Sequence, residues 1–506
     1  MKSVSHNLAH MLLRSAALFP DYPAVAVGKT VIRTYAQLLQ RVQCLASTLR
    51  ERLNVGDRVI VNSQNCAEYL EVLYACWWAG MIAVPINAKL HDKEVRDIVA
   101  RSGAKWCFFR EGHSGGLDSL PGICLGTPGY DIFSRGAVSM STRPEKVLLH
   151  DPAWIFFTSG TTGKPKGAVL THRNLLAMCN AFLSDVVDVE PVDAMVHAAP
   201  LSHGSGLYAI PHVYKAACNV VLESGGFDAH EASFLLDYWD RSVTFGPPTV
   251  INRILAAPKP WGKYDPFSEG GLKAVIYGGG PLYRADLDDA WKQTNGRVAQ
   301  IYGQGESPCT ITAISRATYE EAFNRHDDAL LASVGTPQAG VEVTIGEGSE
   351  VLVRGPQVMS GYWSDVLATG KALLDGWLHT GDKGRLDERG LLTLTGRAHD
   401  TIISGGSNIY PAEVENLLLT HPAVKEAAVL GRPHADLGQQ VVAFVVTKEP
   451  EAHVWTGLDT ELNDLCLANI ARFKRPRAYH FLSELPMTNY GKVDRFKLTM
   501  MAGQGR

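Results

Sequence analysis

Ten residues, TSGTTGKPKG from Thr158 to Gly167, place two lysines and four hydroxyls on a backbone loosened by three glycines. Glycines let successive N–H groups turn toward one anion, hydroxyls donate further hydrogen bonds, and a lysine neutralises charge, so the stretch points to a polyphosphate. It is not the nucleotide-binding pattern G-x-x-x-x-G-K-[ST], because only two residues separate Gly160 from Gly163 and Pro165 follows Lys164. A flexible surface loop is the competing reading. Four more side chains stand in short polar settings that suit chemistry: His203 in PLSHGSGL, Glu306 in YGQGE, Asp382 in WLHTGD and Lys492 in NYGKVDR. Taken singly, Asp382 reads equally well as a turn residue and His203 as a structural histidine. Glu306 alone reads equally well as a solvated loop acid, and Lys492 alone reads better as an exposed tail lysine.

Residues of this kind need a scaffold. The apolar run AWIFF leads straight into the glycine loop. Similar runs, RVIVNS, MIAVPIN, KWCFF, MVHAAPL, NVVLES, SVTFGPP, KAVIYGGG and VAQIYGQGE, alternate with helical amphipathic stretches, which predicts parallel sheets covered by helices. Each run ends in a Gly-, Pro- or Ser-rich turn, and open α/β sheets hold their ligands at the carboxyl ends of strands. After residue 335 the texture changes to VEVTIGEG, SEVLVRG and GLLTLTGR, which predict the antiparallel strands of a small all-β section. At Asp400 the chain starts afresh with a strand, a glycine pair and a helix opening near Pro411. The expected division is therefore 1–399 and 400–506.

Composition sets outer limits. The 506 residues are 46% hydrophobic, enough for several packed units. Forty-eight basic and 52 acidic side chains leave a formal charge of -4, so no overall field draws the molecule to nucleic acid or an anionic membrane, and a polyanion must be met locally. Nine scattered cysteines without a C-x-x-C pair predict reduced thiols in the cytoplasm, with neither a disulfide framework nor a zinc site. LAHMLLRSAALFP, broken by His10 and Arg14, predicts an amphipathic first helix and not an export signal. The longest apolar run, VLYACWWAGMIAVPI, is interrupted by Gly80 and Pro85, is too short to span a membrane, and predicts a core helix running into a buried strand.

TSGTTGKPKGAVLTH resembles the phosphate-loop signature of the adenylate-forming superfamily, which includes acyl-CoA synthetases, luciferases and nonribosomal-peptide adenylation domains. The resemblance continues in the family's order through PLSHGSGL, YGGGPL, YGQGE, VRGPQVMSGYW, WLHTGD, GRAHDTIISGGSNIYPAEVE and PMTNYGKVDR, and so covers nearly the whole chain. It implies an α/β fold: a large N-terminal adenylation domain of two parallel-sheet subdomains plus a small β-barrel-like section, and a smaller mobile α+β C-terminal domain. The implied reaction joins a carboxylic acid, aromatic or medium- to long-chain fatty, to AMP from ATP and then to the thiol of CoA. The implied partners are small molecules, with monomer or homodimer left open.

The same resemblance implies roles for individual residues. Thr158, Ser159, Gly160, Thr161, Thr162 and Gly163 would hold the β- and γ-phosphates, with Lys166 opposite their charge. Gly279, Gly280, Pro281, Gly303 and Gly305 would line the nucleotide, Tyr302 would stack on adenine, and Asp382 and Arg397 would serve the ribose. Glu306, with Thr158, would bind Mg2+, a hard cation suited to one carboxylate plus phosphate oxygens. Lys492 would bridge the carboxylate and the α-phosphate. His203, Ser205, Gly206, Gly278, Gln304 and Pro308 would form the acyl pocket, His203 binding substrate and moving no proton. The many small residues there imply a roomy pocket. Ser404, Gly405, Gly406 and Lys474 would line the approach of CoA, and Asp400 would be the hinge.

Two positions depart from the family pattern. Gly305 stands where the family has Thr, removing a hydroxyl that contributes about 0.5–1.5 kcal/mol, and Ser307 is the nearest hydroxyl that could replace it. His399 stands where the family has Lys, next to the hinge. Between Arg472 and Lys497 seven basic residues face two acidic ones, which suggests either a solvated face or a contact for the phosphates of CoA. Two other functions stay open: transfer of the acyl group to a carrier-protein phosphopantetheine or an amine, and a non-catalytic binding protein of the same fold.

Overall fold

A computed structural model describes residues 6–135, 143–158, 165–257, 271–280, 282–397, 402–404, 407–409, 411–434, 437–449, 457–470, 472, 474–488 and 492–504. Two parallel-centred sheets share the larger core. The first has six strands in the order Gly122–Cys124, Trp106–Phe109, Arg58–Asn62, Ile82–Ile86, Pro152–Thr158 and Lys166–Thr171, parallel except for the last pair. The second has nine, with Leu272–Tyr277, Ser242–Gly246, Ala194–His197, Cys218–Val221 and Val298–Tyr302 parallel in the middle and antiparallel pairs at both edges. Val59, Ile60 and Val61 are all buried, the near-continuous apolar run expected of a strand covered on both faces.

The helices follow from local signals. Thr34 and Gln37 close a capping box at the start of helix Tyr35–Arg50, satisfying two backbone donors that the first turn leaves open. The long apolar run forms helix Ala67–Trp78, in which even Glu71 is buried, followed by strand Ile82–Ile86. Glu71 is tolerated there because Arg33 and Arg41 approach it at 3.0 and 3.1 Å and the Tyr130 hydroxyl donates to it at 2.8 Å. Trp77 donates its indole N–H to the Ala153 carbonyl at 2.9 Å and so fastens this helix to the strand that precedes the glycine loop. That strand continues into an antiparallel partner with Thr158 opposite Lys166, so the loop is the tip of a hairpin and does not lead into a helix as a P-loop does.

The β section is a five-stranded antiparallel sheet of Glu342–Ile345, Glu350–Arg354, Leu373–Leu374, Trp377–Leu386 and Leu392–Arg397. A separate C-terminal domain is built on the long hairpin Val424–His434 and Gly438–Thr447, with Ala478–Leu482 added in parallel. Helices Pro411–Leu418 and Leu458–Asn469 carry residues of one of its small cores, and Leu498 and Ala502 of helix Arg495–Gln504 belong to the other. Among the described residues no helix is long and apolar enough to cross a membrane.

Candidate active site

The candidate residues gather at the carboxyl ends of strands from both large sheets. Thr158 ends Pro152–Thr158, Tyr302 ends Val298–Tyr302, and Gly278, Gly279 and Gly280 follow Leu272–Tyr277. Gly303, Gln304, Gly305 and Glu306 continue from Tyr302, and His203 opens helix Gly204–Tyr214 beyond Ala194–His197. This is where an open α/β sheet binds its ligands. Ser159, Gly160, Thr161, Thr162, Gly163, Lys164 and Pro281 lie outside the described residues.

Asp382 is 5% exposed and sits within strand Trp377–Leu386, not in a turn. Its Oδ2 accepts from the Tyr302 hydroxyl at 2.7 Å and from Gln304 Nε2 at 2.6 Å, while Gln304 also donates to the Thr380 carbonyl at 2.9 Å. The register sets Arg397 directly across from Asp382. Tyr302, expected on adenine, and Gln304, expected in the acyl pocket, thus both spend polar atoms on orienting this carboxylate.

A second cluster joins the loop hairpin to Glu306. The Tyr362 hydroxyl donates to Glu306 Oε1 at 2.8 Å, and Lys166 Nζ lies 5.2 Å from the centre of the Tyr362 ring, a cation–π contact. Burial, and then the Glu306 charge, push the Tyr362 phenol far above its ordinary range, so it stays a donor. Tyr362 stands in the motif VRGPQVMSGYW, which by itself points to no role for it. The signal was there, a lone aromatic hydroxyl in a glycine-rich motif, but its partner lies 56 residues away.

His203 is half-buried, edge-on to Phe156 with ring centres 5.2 Å apart, and hydrogen-bonded through Nδ1 to the Ser202 hydroxyl at 2.8 Å. Its pKa falls to about 4, chiefly from desolvation and further from the Lys492 ammonium. The imidazole is therefore neutral at pH 7. Lys492 itself stands on an exposed turn that pairs Met487 with Val493, its backbone carbonyl accepting from Thr488 N–H at 2.7 Å.

Several of the small residues expected to leave room are closely packed, whereas a Cβ at Gly279 would meet nothing within 4 Å. A side chain at Gly204 would run into the Phe245 ring, and a Cβ at Gly278 would stand 2.5 Å from Ile301 and 2.8 Å from Phe245. Gly206 is pressed on the Leu201 carbonyl, and Gly303 would bring a Cβ within 2.6 Å of the Cys309 backbone. Ser205 is fully buried and bonded to His197 Nδ1 at 2.8 Å, and Pro308 is buried with its carbonyl accepting from the Thr310 hydroxyl at 2.7 Å. These glycines allow close packing. Phe245, which the sequence reading passed over, fills the volume between Gly204 and Gly278.

Gly305 is explained in the same way. A Cβ there would lie 2.6 Å from Thr158 Cγ2 and 2.9 Å from Phe156 Cδ1, so these side chains occupy the room a Thr would need. Ser307 does not replace the missing hydroxyl: it is fully buried, donates to the Thr310 carbonyl at 2.8 Å and accepts from Gln357 at 3.3 Å.

The profile of the AMP-binding enzyme family matches residues 12–363, and that of the AMP-binding enzyme C-terminal domain matches residues 413–492. The chain belongs to the AMP-binding enzyme family. A feruloyl-CoA synthase from Amycolatopsis sp is 34% identical over 504 residues, 97% of this chain and 98% of its own. A fatty acid--[acyl-carrier-protein] ligase, ScoC, from Streptomyces coeruleorubidus is 31% identical over 95% of this chain and 93% of its own. ATP-bound MatB from Rhodopseudomonas palustris has the same fold, with a TM-score of 0.86 at 26% identity over 99% of both chains. This AMP-binding enzyme stands in the acyl-CoA ligase branch of the superfamily.

In the C-terminal domain of this AMP-binding enzyme, Ser404 is buried and pairs with Ser407 and Gly438. Gly405, Gly406, His399 and the hinge candidate Asp400 lie outside the described residues. Lys474 is held by Glu413, with contacts of 2.6 and 2.8 Å, and Arg495 by Glu415 at 2.8 Å. The basic run is therefore partly paired within the domain. Arg477 keeps cationic neighbours, since its pKa is lowered by desolvation and then by Arg475 and Arg472.

Among the described residues no group of three or more His, Cys, Asp or Glu could enclose a metal. Glu306 fits a hard cation held mostly by phosphate oxygens, because Tyr362 takes one carboxylate oxygen and leaves the other to bind. The Thr158 hydroxyl, 3.5 Å from the Lys166 carbonyl, is only weakly engaged, and a Cβ at Gly305, next to Glu306, would lie 2.6 Å from its methyl.

Proposed function

We propose that the chain is an AMP-forming carboxylic acid:CoA ligase. The acid's oxygen attacks the α-phosphorus of ATP, releasing pyrophosphate, and the CoA thiol then attacks the acyl carbon of the adenylate, releasing AMP. Both partners of the first step are anions, so the site must supply positive charge where they meet, which is commonly the largest catalytic term. The observation that carries this reading is geometric: the Tyr302 hydroxyl and Gln304 fix the Asp382 carboxylate, and Tyr362 joins Lys166 to Glu306. Lys166 and Lys492, from two parts of the chain, would supply that positive charge.

Asp382, oriented by Tyr302 and Gln304, would accept hydrogen bonds from the ribose, with Arg397 beside it. Mg2+, held by Glu306 and Thr158, would neutralise phosphate charge. His203, neutral and set against Phe156, would bind the acid. Of the acid classes in question, the similarity to a feruloyl-CoA synthase favours an aromatic acid, and Phe245, packed at Gly204 and Gly278, is the side chain that would limit a long alkyl chain. After adenylation the C-terminal domain would turn about Asp400, withdraw Lys492 and admit CoA past Ser404, Gly405, Gly406 and Lys474. Buried free thiols suit a cytoplasmic setting.

The test is pyrophosphate release from a panel of aromatic and aliphatic acids, with and without CoA. Acid-dependent release with acyl-CoA formation is expected, and no release with any acid would overturn the reading. The similarity to a carrier-protein ligase favours a second acceptor, so the panel should include a phosphopantetheinylated carrier protein.

A further inference from the structure

Tyr362 is fixed by its backbone before its side chain is considered. Its segment lies against the strand leaving the phosphate loop: Ala168 pairs with Tyr362, Val169 N–H donates to the Gly361 carbonyl at 2.9 Å, and Trp363 N–H donates to the Gly167 carbonyl at 2.8 Å. The Tyr362 N–H is taken by the Thr369 hydroxyl at 2.8 Å. The same segment grips Glu306 twice, through Met359 N–H to its backbone carbonyl at 2.8 Å and through the Tyr362 hydroxyl to Oε1 at 2.8 Å. Lys166 closes the group, stacked on the face of the Tyr362 ring.

A carboxylate pinned through one oxygen has the other to offer. Mg2+ is small and demands near-octahedral geometry with single-oxygen ligands, whereas Ca2+ accepts both oxygens of one carboxylate in a looser shell. We propose that Tyr362 is a positioning residue that holds Glu306 as a one-oxygen ligand, favouring Mg2+ over Ca2+ in the bound metal–nucleotide, while its ring keeps Lys166 beside the phosphates. This rests on Glu306 being the metal ligand.

The experiment measures calorimetric binding of a non-hydrolysable ATP analogue to the full chain in Mg2+ and in Ca2+, for wild type, Tyr362→Phe, Glu306→Gln and the double variant. Phe keeps the ring under Lys166 and loses only the hydroxyl; thermal unfolding checks that the fold survives. The wild-type preference for Mg2+ is expected to narrow by about tenfold in Tyr362→Phe, the scale of one hydrogen bond to a charged group. Because Tyr362 acts through Glu306, it should narrow no further when Tyr362→Phe is added to Glu306→Gln. A Mg2+ preference unchanged in Tyr362→Phe but lost in Glu306→Gln would overturn the proposal and leave Glu306 as the ligand. Metal dependence surviving in Glu306→Gln would overturn the assignment of Glu306, and the proposal with it.

Discussion

The Tyr283 hydroxyl donates to Glu415 Oε2 at 2.9 Å, joining the residue before helix Arg284–Gln293 to helix Pro411–Leu418 of the C-terminal domain. Glu415 is 1% exposed, and its other oxygen meets Arg495 and the Val429 N–H, both at 2.8 Å. The two domains thus share one buried carboxylate. Removing it by Glu415→Ala should destabilise the C-terminal domain by about 1–3 kcal/mol, because the Tyr283 hydroxyl and the Val429 N–H lose their acceptor, while Arg495 is exposed enough to be hydrated. Tyr283→Phe removes only the bond across the domains and is expected to slow acid-dependent ATP–pyrophosphate exchange while sparing acyl transfer from a supplied adenylate. Equal loss in both assays would show that the bond does not serve the adenylating arrangement.

Lys492→Ala should lower adenylate formation by about 10²–10³-fold, as for the loss of one group aimed at developing charge. Transfer of a supplied acyl-adenylate to CoA should stay near the wild-type rate. Parallel loss of both half-reactions would count against a lysine that serves one step only.

Phe245 is 6% exposed and packs edge-on against Tyr208, ring centres 4.9 Å apart, as well as against Gly204 and Gly278. Phe245→Ala should cost about 3–5 kcal/mol of stability, the usual range for a buried Phe. It should also raise kcat/KM for long-chain acids relative to aromatic ones by about tenfold or more, the scale of a hydrophobic pocket's discrimination. An unchanged ratio would place the acyl chain elsewhere.

Gly305→Thr restores the family's residue and should nevertheless impair the protein. Its Cβ would press on Thr158 and Phe156, and overpacking of this kind costs about 1–3 kcal/mol, as much as or more than one hydroxyl contributes. Adding Thr158→Ser removes the nearer obstructing methyl, so the double variant should recover part of the lost stability and pyrophosphate release. Gain of activity in Gly305→Thr alone would contradict the packing described above.

Burial lowers the pKa of His172, His197 and His212 to about 4, about 3 and about 4. Below the unfolded value near 6.5 the unfolded chain takes up protons that the folded chain refuses, so stability should fall as pH drops from 6.5 toward 4. Each histidine adds a slope of up to about 1.4 kcal/mol per pH unit. Urea unfolding between pH 7 and 5 should show a shallower decline in His197→Gln, and an identical slope would exclude His197 as a contributor.

The sequence alone determined what could be built by local rules and motif order. Period and turn residues specified the strands, so AWIFF, VAQIY and KAVIY fell where the sheets have them, and the order of motifs carried the family. It could not supply packing between segments far apart in the chain. Asp382 could not be told from a turn residue until strand pairing set it opposite Arg397 and folding brought Tyr302 and Gln304 onto it. Of the glycines that suggested room, Gly204 and Gly278 are closely packed while Gly279 faces open space, because a missing side chain marks close approach as readily as emptiness, and only the tertiary structure shows that Phe245 makes the approach. The partnership of Tyr362 with Glu306 and Lys166 was hidden for the same reason: a hydrogen bond spans about 3 Å, and no periodicity connects residues whose meeting is decided by the path of the whole chain.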